Sequence, residues 1–477
     1  MNTIEPVNKN IQTAQNNKRI AKNTLFLYAR MLLVMAVSLY TVRIVLAVLG
    51  VEDYGIYNVV AGVVSMFGFL SGTMASASQR FFAYEIGTKN IEKLKKTFSM
   101  TVMIYAIIAV IVVILAETIG VWFLYNKMTI PAERFSAAMW VYQFTVASFV
   151  VTMMAVPYNA AIIAKENMKV FAAVGIIEVL LKLAIVYLLL FFSSDKLKLY
   201  AVLVFLSNVI IRFVYSAYCR KAYSEFRFGF LWDANIFKKL VSYSGWNLFG
   251  AVASVLNNQG VNILLNIFFN PIVNAARGVA MQINSAVNQF VQNFMMASRP
   301  QITKYYAENN HKEMFELVCK TSKFSFYLIA MLSMPIIIKI EFILNLWLKE
   351  VPEYTVIFSR LILIVALIDS FSYPLMASAQ ATGKIRNYQI VVGGVLMLNV
   401  PISYIFLKMG LQPEWTLYIA IFISILCLIL RLVFLKFMIK FPIVKFVKSS
   451  IVIPAITLLI GIIAPILFHK TNYDNIF

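Results

Sequence analysis

The chain has 477 residues, of which 61% are hydrophobic and only 13% are charged, and its mean hydropathy is +0.80. A soluble domain cannot carry so much apolar surface, so the composition predicts a polytopic membrane protein. Many apolar runs exceed the roughly 20 residues that a helix needs to cross a bilayer, which indicates helices rather than barrel strands.

Apolar runs between clusters of charge predict thirteen spans. In chain order these are 23–48, 55–84, 97–125, 134–158, 168–192, 199–219, 240–269, 272–298, 322–348, 354–380, 388–408, 414–438 and 446–468. With a cytoplasmic N-terminus, 26 Lys and Arg residues fall on cytoplasmic segments and seven on outer segments. Basic residues collect on the cytoplasmic side of short loops, so the net charge of +21 is a topology signal and argues against nucleic acid as a partner.

The polar residues 1–22 lack the short apolar core of a cleaved signal peptide, so the first span is expected to be retained. The loops are too short for a soluble catalytic domain, which places the function in the membrane helices. The cysteines and histidines are too few and too scattered for a disulfide framework, and they predict no metal site, cofactor or catalytic centre. These residues are Cys219, Cys319, Cys427, His311 and His469.

Two segments, 78–94 and 298–314, follow the same pattern at an offset of 220 residues. Ser78 pairs with Ser298 and Asn90 with Asn310, which predicts two six-span halves. Because six is an even number, both halves are expected to have the same orientation in the membrane. The predicted parts are a cytoplasmic tail (1–22), an N-lobe (23–221), a cytoplasmic linker (222–239), a C-lobe (240–440) and an additional C-terminal span with its tail (441–477).

The order of these features resembles that of a known transporter family. The residues that carry this resemblance are Asn23, Arg30, Arg43, Gly50 and Gly55, followed by SASQRFFAYEIG at 76–87 and MASRPQITKYYAE at 296–308. In this order the chain resembles bacterial oligosaccharide flippases of the Wzx type, within the multidrug/oligosaccharidyl-lipid/polysaccharide exporter superfamily.

The resemblance implies an all-α fold of two six-helix lobes in a V shape, which enclose a central cavity that opens alternately to each side. It implies transport, not catalysis: a polyprenyl-pyrophosphate-linked oligosaccharide would cross the bacterial cytoplasmic membrane for O-antigen or capsule synthesis. The implied partners are the anionic lipid-linked substrate, the lipid bilayer and, as a candidate, a polysaccharide polymerase.

Nine basic residues lie inside predicted spans. Lys182 and Arg212 lie deepest and are predicted to form a cationic cavity wall, because a buried charge needs a wet interior or a partner. For Lys182 the alternative is a structural pair with Glu178, four residues earlier. The shallower Arg30, Arg277 and Arg360 are further candidates for substrate binding, although snorkelling can also explain them.

Of the remaining basic residues, Arg43 is expected to bind lipid headgroups or a neighbouring helix, because it does not share a helix face with Arg30. Arg80, Lys339 and Arg431 lie near span ends and are interpreted as interface anchors.

Amide side chains form a stripe on each of spans 7 and 8, because they recur every three or four residues. Such neutral donors and acceptors suit sugar hydroxyls; the alternative is interhelical hydrogen bonding, worth about 0.6 kcal/mol each. The stripes comprise Asn258, Asn262 and Asn266 on span 7, and Gln282, Ser285, Gln289 and Gln292 on span 8.

The central carboxylate Asp369 is a candidate for proton coupling, or a counter-ion to Arg360 or Lys182. Neither span 1 nor span 7 contains an acidic residue. This disfavours the first alternative function, a cation-coupled drug antiporter. The second alternative, a membrane polysaccharide polymerase or ligase, is disfavoured by the short outer loops.

Overall fold

The computed structural model describes residues 4–65, 68–128, 130–192, 195–269, 271–348 and 350–460. These ranges are almost entirely helical and contain no strand, so the predicted all-α fold is confirmed. Eleven of the described helical segments are long and apolar enough to cross a membrane. The predicted span 272–298 also folds as a helix but is less apolar than these, and the described residues of span 55–84 are helical as well.

The chain divides into two compact units, Met1–Leu248 and Phe249–Phe477. The first contains α1 (Ile4–Ser65), α2 (Gly68–Gly87), α3 (Ile91–Leu115), α4 (Val121–Lys127), α5 (Phe135–Ala164), α6 (Met168–Phe191), α7 (Lys196–Ala222) and the start of α8 (Ala234–Phe268). Within it, α5 packs against α1, α2, α3, α6 and α7. The core of the first unit is therefore built around α5.

The second unit contains the end of α8 and eight further helices. They are α9 (Pro271–Ala307), α10 (His311–Ile338), α11 (Ile340–Trp347), α12 (Thr355–Ala381), α13 (Arg386–Met397), α14 (Asn399–Lys408), α15 (Trp415–Ile439) and α16 (Ile443–Phe446). Here α12 is the central helix and packs against α9, α10, α11 and α15. Since α5 and α12 correspond to the fourth and tenth predicted spans, each unit has the equivalent span at its centre.

The two segments of the predicted repeat contain the same turn, which also follows α5 at Glu166 and Asn167. Lys89, which follows α2, and Asn309, which follows α9, are both left-handed, with φ of 57° and 55°. In both turns the next residue, Asn90 or Asn310, donates its N–H to the carbonyl five residues earlier and begins the following helix. This left-handed cap satisfies the last carbonyls of the preceding helix, so the two segments adopt one turn structure at the predicted offset.

A glycine breaks α1 at the end of the first predicted span. Gly50 has φ 79° and ψ 168°, a backbone region that is essentially restricted to glycine. The break separates the first span from Asp53, which lies just beyond it.

A short π-helix, Ala116–Gly120, interrupts the third predicted span. The Tyr142 hydroxyl of α5 donates a 2.7 Å hydrogen bond to the Ala116 carbonyl. A Cβ added to Gly120 would lie 1.9 Å from that hydroxyl oxygen. The glycine therefore leaves the space in which the tyrosine reaches the widened turn.

An ion-pair cluster joins three segments of the first unit. Arg134, just before α5, donates to the Asp53 carboxylate from Nε at 2.8 Å and to the Asp195 carboxylate from Nη1 at 3.1 Å. Burial raises the pKa of Asp195, but hydrogen bonds from Arg134 and from the backbone N–H groups of Lys198 and Leu197 outweigh it and hold the pKa below its ordinary value.

This lowered pKa predicts a loss of stability in acid. A carboxyl group with a depressed folded-state pKa stabilises the fold above its unfolded pKa of about 3.9, and this contribution disappears as the pH falls through the folded value. The thermal unfolding temperature of the detergent-solubilised protein should therefore decrease when the pH is lowered below about 4. Asp195→Asn should flatten this dependence, whereas Glu133→Gln at a neighbouring exposed residue should not; identical profiles for wild type and Asp195→Asn would contradict the assignment.

Candidate functional site

One face of α6 carries two charged side chains in line with a phenylalanine and a glycine. Phe171, Gly175, Glu178 and Lys182 are spaced by four, three and four residues, which places all of them on the same side of the helix. Phe171 and Gly175 are buried, Glu178 is half-buried and Lys182 is exposed. The Lys182 ammonium donates to the Glu178 carboxylate at 2.8 Å. The structural pair with Glu178, which was the alternative interpretation of Lys182, is therefore present.

Most of the apolar exposed side chains of α6 lie on the other side of the helix. At about 100° per residue, they are centred roughly half a turn away from Lys182, and only Leu190 lies nearer, at about 80°. The others are Ile176, Ile177, Leu180, Tyr187, Leu188 and Phe191. Such an apolar surface is suited to contact with lipid. Lys182 is exposed on a different side of the helix. An exposed ammonium within a membrane helix requires water or a polar ligand.

Arg30 of α1 reaches the same face of α6. Its guanidinium carbon lies 4.5 Å from the centre of the Phe171 ring, a cation–π distance. A Cβ added to Gly175 would lie 2.0 Å from the Arg30 Nε, so the side chain crosses the helix where glycine leaves a gap. Within the described ranges, this buried Nε has no hydrogen-bond partner. The described residues therefore leave one N–H donor of Arg30 without a hydrogen-bond acceptor.

Tyr215 of α7 lies near this group, and Arg212 lies one turn before Tyr215 on the same helix. The Tyr215 hydroxyl accepts a 3.3 Å hydrogen bond from the Asn159 amide and lies within electrostatic range of both Arg30 and Glu178. Arg212, three residues earlier, is half-buried and forms no hydrogen bond or ion pair with the described residues. We call Arg30, Glu178, Lys182, Arg212 and Tyr215 the basic cluster.

In the second unit, α9 exposes a polar stripe. Gln282, Ser285, Gln289 and Gln292 are all exposed, in the positions that the periodicity predicts. Ile272, at the start of the helix, is the one large hydrophobic residue that α9 exposes among those described. Exposed amides are costly in hydrocarbon because lipid offers no hydrogen bonds. This face of α9 is therefore suited to water or to a polar ligand.

The amides of α8 are arranged differently. Arg277 of α9 is only 5% exposed, and its Nε donates a 2.6 Å hydrogen bond to the Asn262 side chain. Its Nη2 donates to the Asn258 carbonyl at 3.4 Å. These contacts join α8 to α9. They are interhelical hydrogen bonds, which were the alternative to sugar binding for these amides. Asn266, one turn after Asn262, is exposed.

Asp369 lies in a polar network inside the second unit. Its half-buried carboxylate accepts a hydrogen bond from Ser424 and lies within electrostatic range of Arg431, both on α15. Arg431 is 5% exposed and donates to Tyr388 at 3.3 Å and to Ser372 at 3.0 Å. The prediction that Arg431 anchors at the membrane interface is therefore wrong. Its side chain turns inward because Tyr388, Ser372 and Asp369 meet it there.

The two other cations proposed as partners of Asp369 have their own carboxylates. Arg360 forms a 3.2 Å ion pair with Glu341 of α11, and Lys182 is paired with Glu178. Neither is therefore left to neutralise Asp369.

Comparison with known proteins identifies the family. A family model described as polysaccharide biosynthesis protein matches residues 20–306, which is more than half of the chain. The chain belongs to this family. The match includes the basic cluster and the whole polar stripe of this polysaccharide biosynthesis protein.

Solved transporters share its fold. A MATE transporter in complex with MaD3S superposes with a TM-score of 0.75 at 14% identity, covering 89% of this chain and 97% of the other. An outward-facing multidrug resistance MATE family transporter of the MOP superfamily gives 0.74 at 15% identity, covering 88% and 96%. A MOP superfamily transporter from Pyrococcus furiosus gives 0.70 at 14%, covering 86% and 95%. These similarities confirm the predicted exporter fold, and no curated protein matches the chain.

Some polar residues near Asp369 of this polysaccharide biosynthesis protein were not predicted from the sequence. Tyr373, one turn after Asp369 on α12, donates to the Asn288 side chain of α9 at 2.9 Å. Its spacing of four residues from a membrane-embedded carboxylate was an available signal. Tyr388 carried no such signal, because its contact with Arg431 joins residues 43 positions apart.

Proposed function

We propose that this polysaccharide biosynthesis protein is a flippase for polyprenyl-pyrophosphate-linked oligosaccharide in the bacterial cytoplasmic membrane. The observation that carries the proposal is the exposure of Lys182 on the face of α6 that Arg30 contacts, away from most of its apolar surface. The protein would act by alternating access, without chemical change to its substrate.

The charge of the basic cluster suits the headgroup. A pyrophosphate diester carries two negative charges and accepts hydrogen bonds through several oxygens. Arg30 is a half-buried cation, Lys182 is accessible, and Arg212 is a third cation without a protein partner in the described ranges. Charge-assisted hydrogen bonds of this kind are the strongest available to an oxyanion.

The polar stripe of α9 suits the sugar. Gln282, Ser285, Gln289 and Gln292 offer neutral donors and acceptors over more than two helical turns, and Asn266 of α8 adds an exposed amide. We assign Arg277, Asn258 and Asn262 to support of this surface rather than to direct sugar contact. The polyprenyl tail would remain in lipid.

The remaining candidates are given separate roles. Asp369 is the proposed coupling group, since it is the carboxylate of the polar network around Arg431. Arg360, paired with Glu341, would bind the substrate only if it exchanged that partner. The excess of basic residues on alternate loops supports a cytoplasmic N-terminus. A polysaccharide polymerase would then use the translocated units on the outer side.

The test is translocation by the purified protein in liposomes that contain a fluorescent lipid-linked oligosaccharide. We expect protein-dependent transfer between leaflets for the wild type and its loss in Lys182→Gln. The double substitution Gln282→Leu/Gln289→Leu removes two hydrogen-bonding side chains, each worth about 0.5–1.5 kcal/mol. It should reduce transfer of the oligosaccharide by about 5- to 150-fold, but not transfer of bare polyprenyl pyrophosphate.

Gln143→Leu removes an exposed amide elsewhere, on α5, and serves as the control. Wild-type liposomes that transfer the lipid no faster than empty liposomes would overturn the proposed function. Efflux of a cationic drug in place of lipid transfer would favour the drug antiporter.

A further inference from the structure

The basic cluster contains one carboxylate among three cations. Glu178 lies one turn after Gly175, on which Arg30 rests, and one turn before Lys182, to which it is bonded. Its side chain is 38% exposed and that of Lys182 is 47% exposed, so a ligand can reach both. No other acidic residue occurs within α6.

This position creates a conflict for an anionic ligand. A pyrophosphate that binds Lys182 must compete with Glu178 for the same ammonium, and the carboxylate then repels the phosphate oxygens. Like charges brought together in a poorly solvated site are strongly unfavourable. Glu178 therefore weakens the very interaction for which Arg30 and Lys182 are suited.

We propose that Glu178 is an internal counter-ion, which neutralises Lys182 in the empty transporter and is displaced by the pyrophosphate of the substrate. This proposal rests on the proposed function. Loading exchanges the Lys182–Glu178 ion pair for a Lys182–phosphate ion pair, and unloading reverses the exchange. The site thus never leaves its lysine unpaired, and the substrate is bound weakly enough to be released on the outer side.

The experiment measures binding and transport of a short-chain prenyl-pyrophosphate diester that carries one sugar. We expect Glu178→Gln to bind it about tenfold more tightly than the wild type at pH 7.5, because a like charge is removed. The same variant should transport it more slowly, because release is slowed.

The matched control is Glu92→Gln, which breaks another Glu–Lys ion pair of the same spacing, with Lys96 at 3.0 Å on α3. It should leave both binding and transport unchanged. Equal or weaker binding by Glu178→Gln would overturn the counter-ion role while leaving the flippase proposal intact. If Glu178→Gln does not fold, Glu178→Ala is measured in its place, and equal or weaker binding by that variant overturns the role. No binding by the wild type at all would instead overturn the proposed function.

Discussion

Replacing Arg431 by alanine is expected to destabilise the protein by about 3–5 kcal/mol, because it leaves a carboxylate inside the second unit without its cation. Arg431 is almost fully buried and links α15 to Ser372 of α12 and Tyr388 of α13. Its loss also leaves these hydroxyls without a hydrogen-bonding partner. Chemical unfolding in detergent, followed by tryptophan fluorescence, measures the change.

A second substitution separates charge from packing. Arg431→Met combined with Asp369→Asn removes both charges, and it should recover a large part of the stability that Arg431→Met alone loses. Arg43→Ala, at an exposed arginine of α1, is the control and should change the unfolding free energy little. A single Arg431 substitution as mild as Arg43→Ala would show that Asp369 does not depend on this cation.

The helices were predictable because membrane spans are specified by long local runs of apolar residues. The repeat was also predictable from local signals, since the turn at Asn90 and the turn at Asn310 use the same cap at the predicted offset. The depth of Arg431 was not predictable. Distance along the chain from a charged loop estimates depth in the membrane, but it does not show that Tyr388 and Ser372 receive the side chain inside the unit.

The candidate site, too, was predictable only in part. Helical periodicity predicted the stripe on α9 and the pairing of Glu178 with Lys182, because both lie within one helix. It did not predict that Arg30 of α1 lies over Gly175 of α6, or that Asn262 accepts from Arg277. These contacts depend on which helices are neighbours and on their rotation, and a single helix does not encode either.

The contact at Gly175 leads to the largest expected effect on transport. A Cβ at this position would lie 2.0 Å from the Arg30 Nε and 2.7 Å from its Cδ, so Gly175→Ala must displace the arginine without removing its charge. Losing one charged contact to a buried oxyanion costs about 2–5 kcal/mol, which corresponds to about a 30- to 5000-fold loss of affinity for the pyrophosphate diester. Arg30→Gln should produce a similar loss.

Gly394→Ala is the matched control, because a Cβ there meets nothing within 4 Å. It should leave transport and stability close to those of the wild type. The comparison is informative because Gly175→Ala keeps every charged group of the basic cluster and changes only where one of them lies. If Gly175→Ala transports as well as Gly394→Ala while Arg30→Gln does not, the arginine acts from another position. If both Gly175→Ala and Arg30→Gln transport normally, Arg30 has only a packing role, and the pyrophosphate is bound by Lys182 without it.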